Sequence, residues 1–309
     1  MRITNNMVSN SYLKNLNMNL TSVDKYQNQL STGKRLTRLS DDPVGILSSM
    51  QIRVRLGRLE QYQKNVDTAG DWLKQTESSL KELNSILQTA YERSIQASTD
   101  PLEESDKQAI AEELKQLRDQ VLAVGNTKVT NKYIFGGYNT STTPFSLGPT
   151  GNILYNGLDV SVDTPQLQAE AEQNISFEIG YDMNMEVFTN GLQLLGSGDS
   201  NIYNLINGMC EALESGNTQD ISAYIPKLQA AQEDVLAYTA EIGARSNRLE
   251  LIENRYAEDK LNFTEIKSKV EDVDEAEAIM QYKMAEATYL YALQIGSNII
   301  QPTLVEYLN

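Results

Sequence analysis

The chain has 309 residues and a formal net charge of −16, and 40% of its residues are hydrophobic. That apolar share is too high for a disordered chain, and the acidic excess argues against general nucleic-acid binding, which needs Lys and Arg to neutralise phosphates. Histidine is absent, which excludes Ser-His-Asp and Cys-His nucleophile arrangements and His-ligated zinc. We therefore expect a folded protein that is not an enzyme and has no catalytic, cofactor or metal site.

The first 60 residues combine a predicted helix with a basic charge. Apolar residues at helical spacing predict a first helix over residues 8–32, namely Leu13, Leu16, Leu20, Val23 and Leu30. Gly33 suits the left-handed position after that helix, and Asp42 with Pro43 suits the start of the next. The segment's net charge is +5, which fits contacts between subunits as well as a solvated face; the candidate residues are Lys34, Arg35, Arg38, Arg53, Arg55 and Arg58.

A second helix is predicted over residues 43–98 and carries a long apolar seam. Residues spaced by seven are Ile52, Leu59, Val66, Leu73, Leu80 and Leu87. An apolar residue every 3.5 positions keeps one side of a helix against another helix. A third helix, over residues 102–129, places Ile110, Leu114, Leu117, Val121 and Val124 on one face.

Residues 131–185 hold most of the turn signals and predict a small β-rich insertion. The candidate strands are residues 153–155, 158–162 and 175–179. Residues 166–172 alternate between apolar and polar, as on a half-buried strand, although Ala, Glu and Gln favour helix and Thr164-Pro165 is a possible helix start. We predict a strand there.

The second long seam runs from Leu228 to Met280 and is predicted to pair with the first. Its main row is Leu228, Val235, Ile242, Leu249, Tyr256, Phe263 and Val270. The acidic group around Glu271 falls inside this helical pattern and is interpreted as a solvated helix face. After Met280 the register weakens, and the chain ends in an amphipathic tail with Ile295, Ile299, Leu304 and Leu308.

No run approaches the 18 to 20 apolar residues that span a bilayer, and the amino terminus lacks the apolar core of a secretory signal peptide. The residues alone therefore predict a cytoplasmic protein, or one exported without signal cleavage.

Several motifs resemble one known family. The start MRITNNMVSNSYLKNL, followed by Leu30 to Arg35 and Ser40 to Gly45, resembles the amino-terminal end of bacterial flagellins. Gly243 to Glu250, Val270 to Asp274 and Ile300 to Leu304 are similar to the other end of that family. The middle, with Tyr133 to Tyr138 and Tyr155 to Gly157, resembles the branch of the family that works at the junction between hook and filament.

The resemblance implies a structural adapter of the bacterial flagellum. Its expected partners are hook-associated protein 1, flagellin, identical subunits in a ring, and a flagellar export chaperone. It also implies an extracellular location after type III export, and terminal helices that are mobile in the free monomer and order on assembly. The terminal assembly interface would then use Leu13, Leu16, Leu20, Val23, Leu30, Ile295, Ile299, Leu304 and Leu308.

The predicted fold is mainly α with a small β insertion, an elongated antiparallel helical rod in which the terminal helices pair. We expect three domains: residues 1–42 with 281–309 for assembly, residues 43–130 with 186–280 as the helical rod, and residues 131–185 as a small β-rich outer domain. A filament-forming flagellin is the alternative within the family. A cytoplasmic coiled-coil regulator or secretion chaperone is the alternative from another class.

Overall fold

Eight α-helices account for most of the residues that the structure, a computed structural model, describes: 5–38, 40–98, 103–149, 151–162, 164–173, 175–187, 190–215 and 218–299. The helices are α1 (Asn5–Thr32), α2 (Pro43–Ser98), α3 (Glu104–Gly125), α4 (Pro165–Ala171), α5 (Gly191–Leu195), α6 (Ile202–Glu214), α7 (Thr218–Glu271) and α8 (Glu275–Ile299). The bounds of α2 match the predicted residues 43–98, and Gly33 has the predicted left-handed conformation, with φ of 67°. A mainly helical fold is therefore confirmed.

Short antiparallel sheets occupy the middle of the chain, as the turn signals predict. Their strands are β1 (Lys128–Val129), β2 (Lys132–Tyr133), β3 (Phe145–Leu147), β4 (Ile153–Tyr155), β5 (Leu158–Asp159), β6 (Ser176–Gly180) and β7 (Met183–Glu186). Within the described ranges β1 pairs with β2, β6 pairs with β7, and β4 lies between β3 and β5. The sequence located β4, β5 and β6, whereas the two-residue strands β1 and β2 carry too few positions to show an alternating pattern.

The chain divides into two compact units. Unit 1 contains residues 1–58 and 258–309, and unit 2 contains residues 59–257. Helices α2 and α7 each extend over both units. Residues 43–58 of α2 and 258–271 of α7 belong to unit 1, and the remaining residues of both helices belong to unit 2.

Unit 2 contains the main hydrophobic core, and the two predicted seams meet there. Tyr62 of α2 stacks on Tyr256 of α7 with ring centroids 6.3 Å apart. Further along, Gln232 Nε2 donates a hydrogen bond to Asn84 Oδ1 over 3.3 Å. The order of these contacts is opposite along the two helices, so α2 and α7 run antiparallel in unit 2. The seam residues from Leu59 to Leu87 and from Leu228 to Tyr256 are buried in the common core.

Buried aromatic rings attach strands β3 and β4 to this core. Phe145 begins β3, and its backbone is held by Asn126, whose Oδ1 accepts from Phe145 N and whose Nδ2 donates to Phe145 O, both over 3.0 Å. The ring of Phe145 lies 5.0 Å from that of Tyr155 in β4. Tyr155 donates its hydroxyl to the carbonyl of Phe135 over 2.8 Å. The insertion thus shares the core of unit 2.

We expect Leu114→Ala to destabilise unit 2 by about 2 to 5 kcal/mol, because the fully buried Leu114 of α3 would leave a cavity. Trp72 is the sole tryptophan and lies in the same core, so its fluorescence during urea unfolding measures the change. The matched control is Leu251→Ala, because Leu251 is 71% exposed on α7 and its loss should cost less than about 0.5 kcal/mol. Equal losses in the two variants would contradict this description of the core.

Unit 1 has far less buried apolar surface. Among its described residues, the buried apolar side chains are Ile52 and Ala278. The remaining buried side chains of this unit are polar: Gln29, Ser49 and Glu271. The helices of unit 1 therefore lack a core of the size found in unit 2.

Two predictions about secondary structure were wrong. Residues 166–172 lie mostly in helix α4 and not in a strand, because the Thr164 side chain accepts from Leu167 N and Pro165 occupies the first turn. The apolar period from Leu228 to Met280 predicts one long helix, but the structure divides it: α7 ends at Glu271 and α8 begins at Glu275. Asp274 caps the new helix by accepting from Ala276 N and Glu277 N over 3.0 and 3.2 Å.

Candidate assembly surface

Helices α1 and α8 pair antiparallel in unit 1. The Tyr12 hydroxyl donates a hydrogen bond to the carbonyl of Ala292 over 2.9 Å. Beyond the opposite end of the pair, Lys34 forms an antiparallel backbone bridge with Asp272. The predicted pairing of the terminal helices is thus confirmed. On α8, the positions that α1 covers include small residues, namely Ala278, Ala285, Ala292 and Gly296, which are buried or half-buried.

The sides of α8 that α1 does not cover carry many exposed apolar residues among a few charged and polar ones. The exposed residues are Ile279, Met280, Met284, Leu290, Tyr291, Leu293 and Ile295, with Tyr291 66% exposed. Met280, Met284 and Tyr291 share one side of the helix, and Ile279 and Leu290 lie on another. A helix that exposes large apolar residues on more than one side is normally covered by other helices on those sides. Helix α8 therefore has the composition of a helix that contacts several neighbours.

Helix α1 adds exposed apolar residues of its own. Leu13 and Leu20 are about half exposed, at 48% and 47%, and Met7 and Met18 are also exposed. Leu16, Val23 and Leu30 are half-buried. We call the exposed apolar residues of α1 and α8 the assembly surface. A concentration of exposed large apolar residues on one helix pair indicates an interaction site.

The structure describes most of the predicted interface residues. Ile295 belongs to the assembly surface, since it is exposed on α8. Ile299 is the last helical residue, but its side chain lies outside the described part of the structure, as do Leu304 and Leu308 entirely.

Sequence reasoning missed a third group of exposed apolar residues at the start of α2. These are Val44, Leu47 and Val54. Their spacing of three and seven residues places them on one side of the helix. Their spacing is visible in the sequence. They were missed because the heptad seam beginning at Ile52 predicts only the buried face of the same helix.

We expect Gly296→Ala to weaken the α1–α8 pair, because a Cβ at Gly296 would collide with the Tyr12 hydroxyl. Overpacking of this kind costs about 1 to 3 kcal/mol. Amide hydrogen exchange of α8 should accelerate by about tenfold or more. The control is Gly243→Ala, where a Cβ meets no atom within 4 Å. If Tyr12→Ala does not restore slow exchange to Gly296→Ala, the collision is not the cause.

Among the described residues of unit 1, Glu271 is the most buried charged group. Its side chain is 1% exposed and receives Arg53 Nε and Nη2 over 2.6 and 2.8 Å and Lys34 Nζ over 3.2 Å. The Ser49 hydroxyl donates to the same carboxylate. The interpretation of this residue as part of a solvated helix face was wrong, because it lies where the α1–α2 connection meets the end of α7.

The environment of Glu271 holds it ionised. Hydrogen bonds from Arg53 lower the pKa of Glu271 from its ordinary 4.5 to about 2, against burial, which raises it. Bonds from Ser49 and Lys34 lower the pKa further. A carboxylate that accepts several charge-assisted hydrogen bonds keeps its charge well below neutral pH.

The six candidate charges for contacts between subunits differ in their surroundings. Lys34 and Arg53 bind Glu271, and Arg35 Nη2 donates to the carbonyl of Val270 over 3.0 Å. Arg55 lies over the ring of Phe263 at 6.0 Å. Among the described residues, no side chain forms an ion pair with Arg38 or Arg58. These last two are therefore the freest to bind another molecule.

The described residues contain no cluster of three or more metal-ligating side chains of the Cys, Asp or Glu type. In the same residues no helix is both long and apolar enough to cross a bilayer.

Comparisons with known proteins agree with these features. The family model for the bacterial flagellin N-terminal helical region matches residues 3–140. Flagellar hook-associated protein 3 of Escherichia coli is 26% identical over 300 residues, which cover 93% of each chain. Flagellin of Bacillus subtilis is 25% identical and covers 97% of this chain and 99% of its own.

A solved structure shares the fold. The crystal structure of flagellar hook associated protein-3 from Legionella pneumophila superimposes with a TM-score of 0.61 at 16% identity, over 72% of this chain and 98% of that one. The matched amino-terminal region, the near full-length relatives and the paired terminal helices confirm the resemblance drawn from the motifs. This chain is therefore similar to bacterial flagellins and hook-associated proteins along most of its length.

Proposed function

We propose that this chain is a structural adapter of the bacterial flagellum, the hook-associated protein 3 that joins the hook, through hook-associated protein 1, to the flagellin filament. The observation that carries the proposal is the alignment with hook-associated protein 3 over 93% of both chains. The role works by geometry and needs no catalytic step. The exposed apolar faces of α1 and α8 support it, because an adapter must bind neighbours on more than one side.

The assembly surface supplies the driving force in this proposal. Burial of apolar area from water stabilises association by roughly 25 cal/mol per Å². That gain must offset the conformational entropy lost when terminal segments become ordered. The residues proposed to contribute apolar area to this interface are Leu13, Leu16, Leu20, Val23, Leu30 and Ile295. Ile299, Leu304 and Leu308 are proposed to contribute as well, although their side chains lie outside the described part of the structure. Assembly should fail before folding of unit 2 does, because unit 2 has its own core.

Further partners follow from the same role. We propose that identical subunits form a ring and that an export chaperone covers the carboxy-terminal helix before export by the flagellar type III system. The protein would then act outside the cell on the flagellum. The proposed division is residues 1–42 with 281–309 for assembly, 43–130 with 186–280 as a helical domain, and 131–185 as an outer β-rich domain.

The basic candidates are proposed to set the register between subunits. Arg38 and Arg58 are the best placed of the six, because no described side chain pairs with them. Exposed pairs contribute about 0 to 1 kcal/mol each, so they affect specificity more than strength. Reversing Arg38 and Arg58 to Glu should lower the yield of correctly assembled junctions, counted in electron micrographs, without changing Trp72 fluorescence. An unchanged yield would remove this part of the proposal.

A filament-forming flagellin is the second candidate, favoured by the full-length match to Bacillus subtilis flagellin. The purified chain separates the two functions. A junction protein should stay monomeric or form small rings at concentrations where a flagellin polymerises, and should bind the distal end of isolated hooks that carry hook-associated protein 1. Long filaments formed by the purified chain alone would support the flagellin and contradict the adapter.

A further inference from the structure

Two chain connections meet in unit 1 and bind each other. The connection between α1 and α2 begins at Gly33, and the break between α7 and α8 begins at Asp272. Arg35 N donates to the carbonyl of Glu271 over 2.7 Å, and Val273 N donates to the carbonyl of Gly33 over 3.1 Å. These bonds flank the Lys34–Asp272 bridge. We call this pair of segments, residues 33–35 and 271–273, the clasp.

The Glu271 side chain ties the clasp to α2. Its carboxylate accepts from Lys34 in the clasp and from Ser49 and Arg53 on α2. The three donors come from two elements that are distant in sequence from Glu271. The buried carboxylate of Glu271, at the end of α7, is therefore bound both to the α1–α2 connection, through Lys34, and to α2, through Ser49 and Arg53.

The clasp lies between two antiparallel helix pairs of unit 1. On one side is the α1–α8 pair, held by Tyr12 and Ala292. On the other side are the start of α2 and the end of α7, which meet through Arg53 with Glu271 and Arg55 with Phe263. Only two covalent segments, residues 33–42 and 272–274, link these pairs, and each residue in them has two soft backbone dihedrals.

We infer that Glu271 is a positioning residue that fixes the direction in which the terminal helix pair leaves α2 and α7. Without its hydrogen bonds, the two connecting segments can pivot and the terminal pair samples a range of directions. If the terminal helix pair samples many directions, its assembly surface loses more conformational entropy on binding than a surface that is held in one direction. The positioning of the helix pair is inferred from the contacts of Glu271 alone. The effect of this positioning on assembly rests on the proposed function.

Limited trypsin digestion of the full-length chain tests the clasp directly. Lys34 and Arg35 are cleavage sites inside the clasp, and cleavage requires the backbone to leave its bonded conformation. Mass spectrometry gives the rate at which fragments ending at Lys34 and Arg35 appear. Cleavage after Lys81, an exposed α2 residue of unit 2, is the internal reference.

Two variants remove different parts of the Glu271 cluster. Glu271→Gln keeps the size of the side chain and removes its charge, and Arg53→Gln removes the bidentate donor from α2. Both should raise clasp cleavage by about tenfold or more relative to the Lys81 site, because charge-assisted bonds that hold the closed form are lost. The matched control is Glu275→Gln, the same change at an exposed position four residues on, which should stay within about twofold of wild type.

The outcomes are decisive in both directions. Wild-type rates in Glu271→Gln and Arg53→Gln, or an equal rise in Glu275→Gln, would overturn the inference. Circular dichroism and Trp72 fluorescence identify a variant that does not fold, and if Glu271→Gln is such a variant, Arg53→Gln supplies the result, since Arg53 is half exposed.

A second measurement separates positioning from the proposed function. Cells that express Glu271→Gln should attach fewer filaments than cells that express Glu275→Gln, with both proteins exported in equal amounts. Normal attachment together with an opened clasp would overturn the link to assembly and leave the adapter function intact. If wild-type protein itself supports no attachment, the proposed function fails while the digestion result still decides the clasp.

Discussion

A chain that ends at Tyr289 is expected to remain folded in unit 2 and to lose filament attachment. The deletion of residues 290–309 removes four exposed apolar residues of the assembly surface: Leu290, Tyr291, Leu293 and Ile295. None belongs to the core of unit 2. Full burial of a large apolar side chain contributes about 1.5 to 3 kcal/mol, so association should weaken by several orders of magnitude.

Three readouts check this deletion. Trp72 fluorescence and urea unfolding should match wild type, and electron microscopy of cells that express the shortened protein should show hooks with few or no filaments. The full-length Leu251→Ala variant is the control, since it removes an exposed apolar residue of unit 2 that lies outside the assembly surface. Cells that swim with normal filaments on the shortened protein would contradict the role given to α8.

The Glu271 cluster should make unit 1 sensitive to acid. The pKa of Glu271 is about 2 in the folded chain and 4.5 ordinarily, and Arg53 is the main cause of the difference. Because the folded pKa is the lower one, its stabilisation is fully present above pH 4.5 and is lost as the pH falls toward 2. The contribution at neutral pH is about 3 kcal/mol, and less where solvent screens the half-exposed Arg53 and Lys34.

Comparison of wild type with Glu271→Gln isolates this effect from other carboxylates. Thermal unfolding followed by far-UV circular dichroism should show a wild type that is more stable at pH 7 and a difference that shrinks toward zero near pH 2. The same comparison with Glu275→Gln should show little difference at any pH, because Glu275 is exposed. A wild-type advantage that does not change between pH 7 and 2.5 would rule out the ionised carboxylate as its source.

The heptad seams were readable from sequence because burial repeats at the helical period. Leu73, Leu80 and Leu87 are fully buried on α2, as predicted, and Leu228 and Val235 are buried on α7. The third predicted face behaves in the same way, with Leu114 and Val121 fully buried on α3. Apolar spacing identifies such positions when a helix is packed along its length.

The break between α7 and α8 was hidden by the same signal. Val270 and Val273 keep the apolar period, but the backbone of residues 271–273 is bound by residues 33–35, more than 230 positions away. The local clue was Asp274, which caps α8. An Asp within an apolar helical period can either continue the helix or cap a new one. The sequence alone does not distinguish these, because the choice depends on tertiary hydrogen bonds to the backbone from a distant segment.

The importance of Glu271 could not be read from its neighbours. Asp272, Asp274 and Glu275 beside it are exposed, and an acidic run on a helix is usually solvated. What separates Glu271 is the tertiary placement of Arg53 and Lys34. The sequence predicted that basic residues of the first 60 positions would contact acidic groups of other subunits. For Lys34 and Arg53, the acidic group is Glu271 of the same chain.

The measurement that tests the central claim most directly is electron microscopy of cells that lack the gene for this protein, combined with assay of flagellin in the culture medium. The adapter function predicts complete hooks, no attached filaments and flagellin lost into the medium, with attachment restored when the full-length chain is supplied. Filaments of normal length on the hooks of these cells would contradict it.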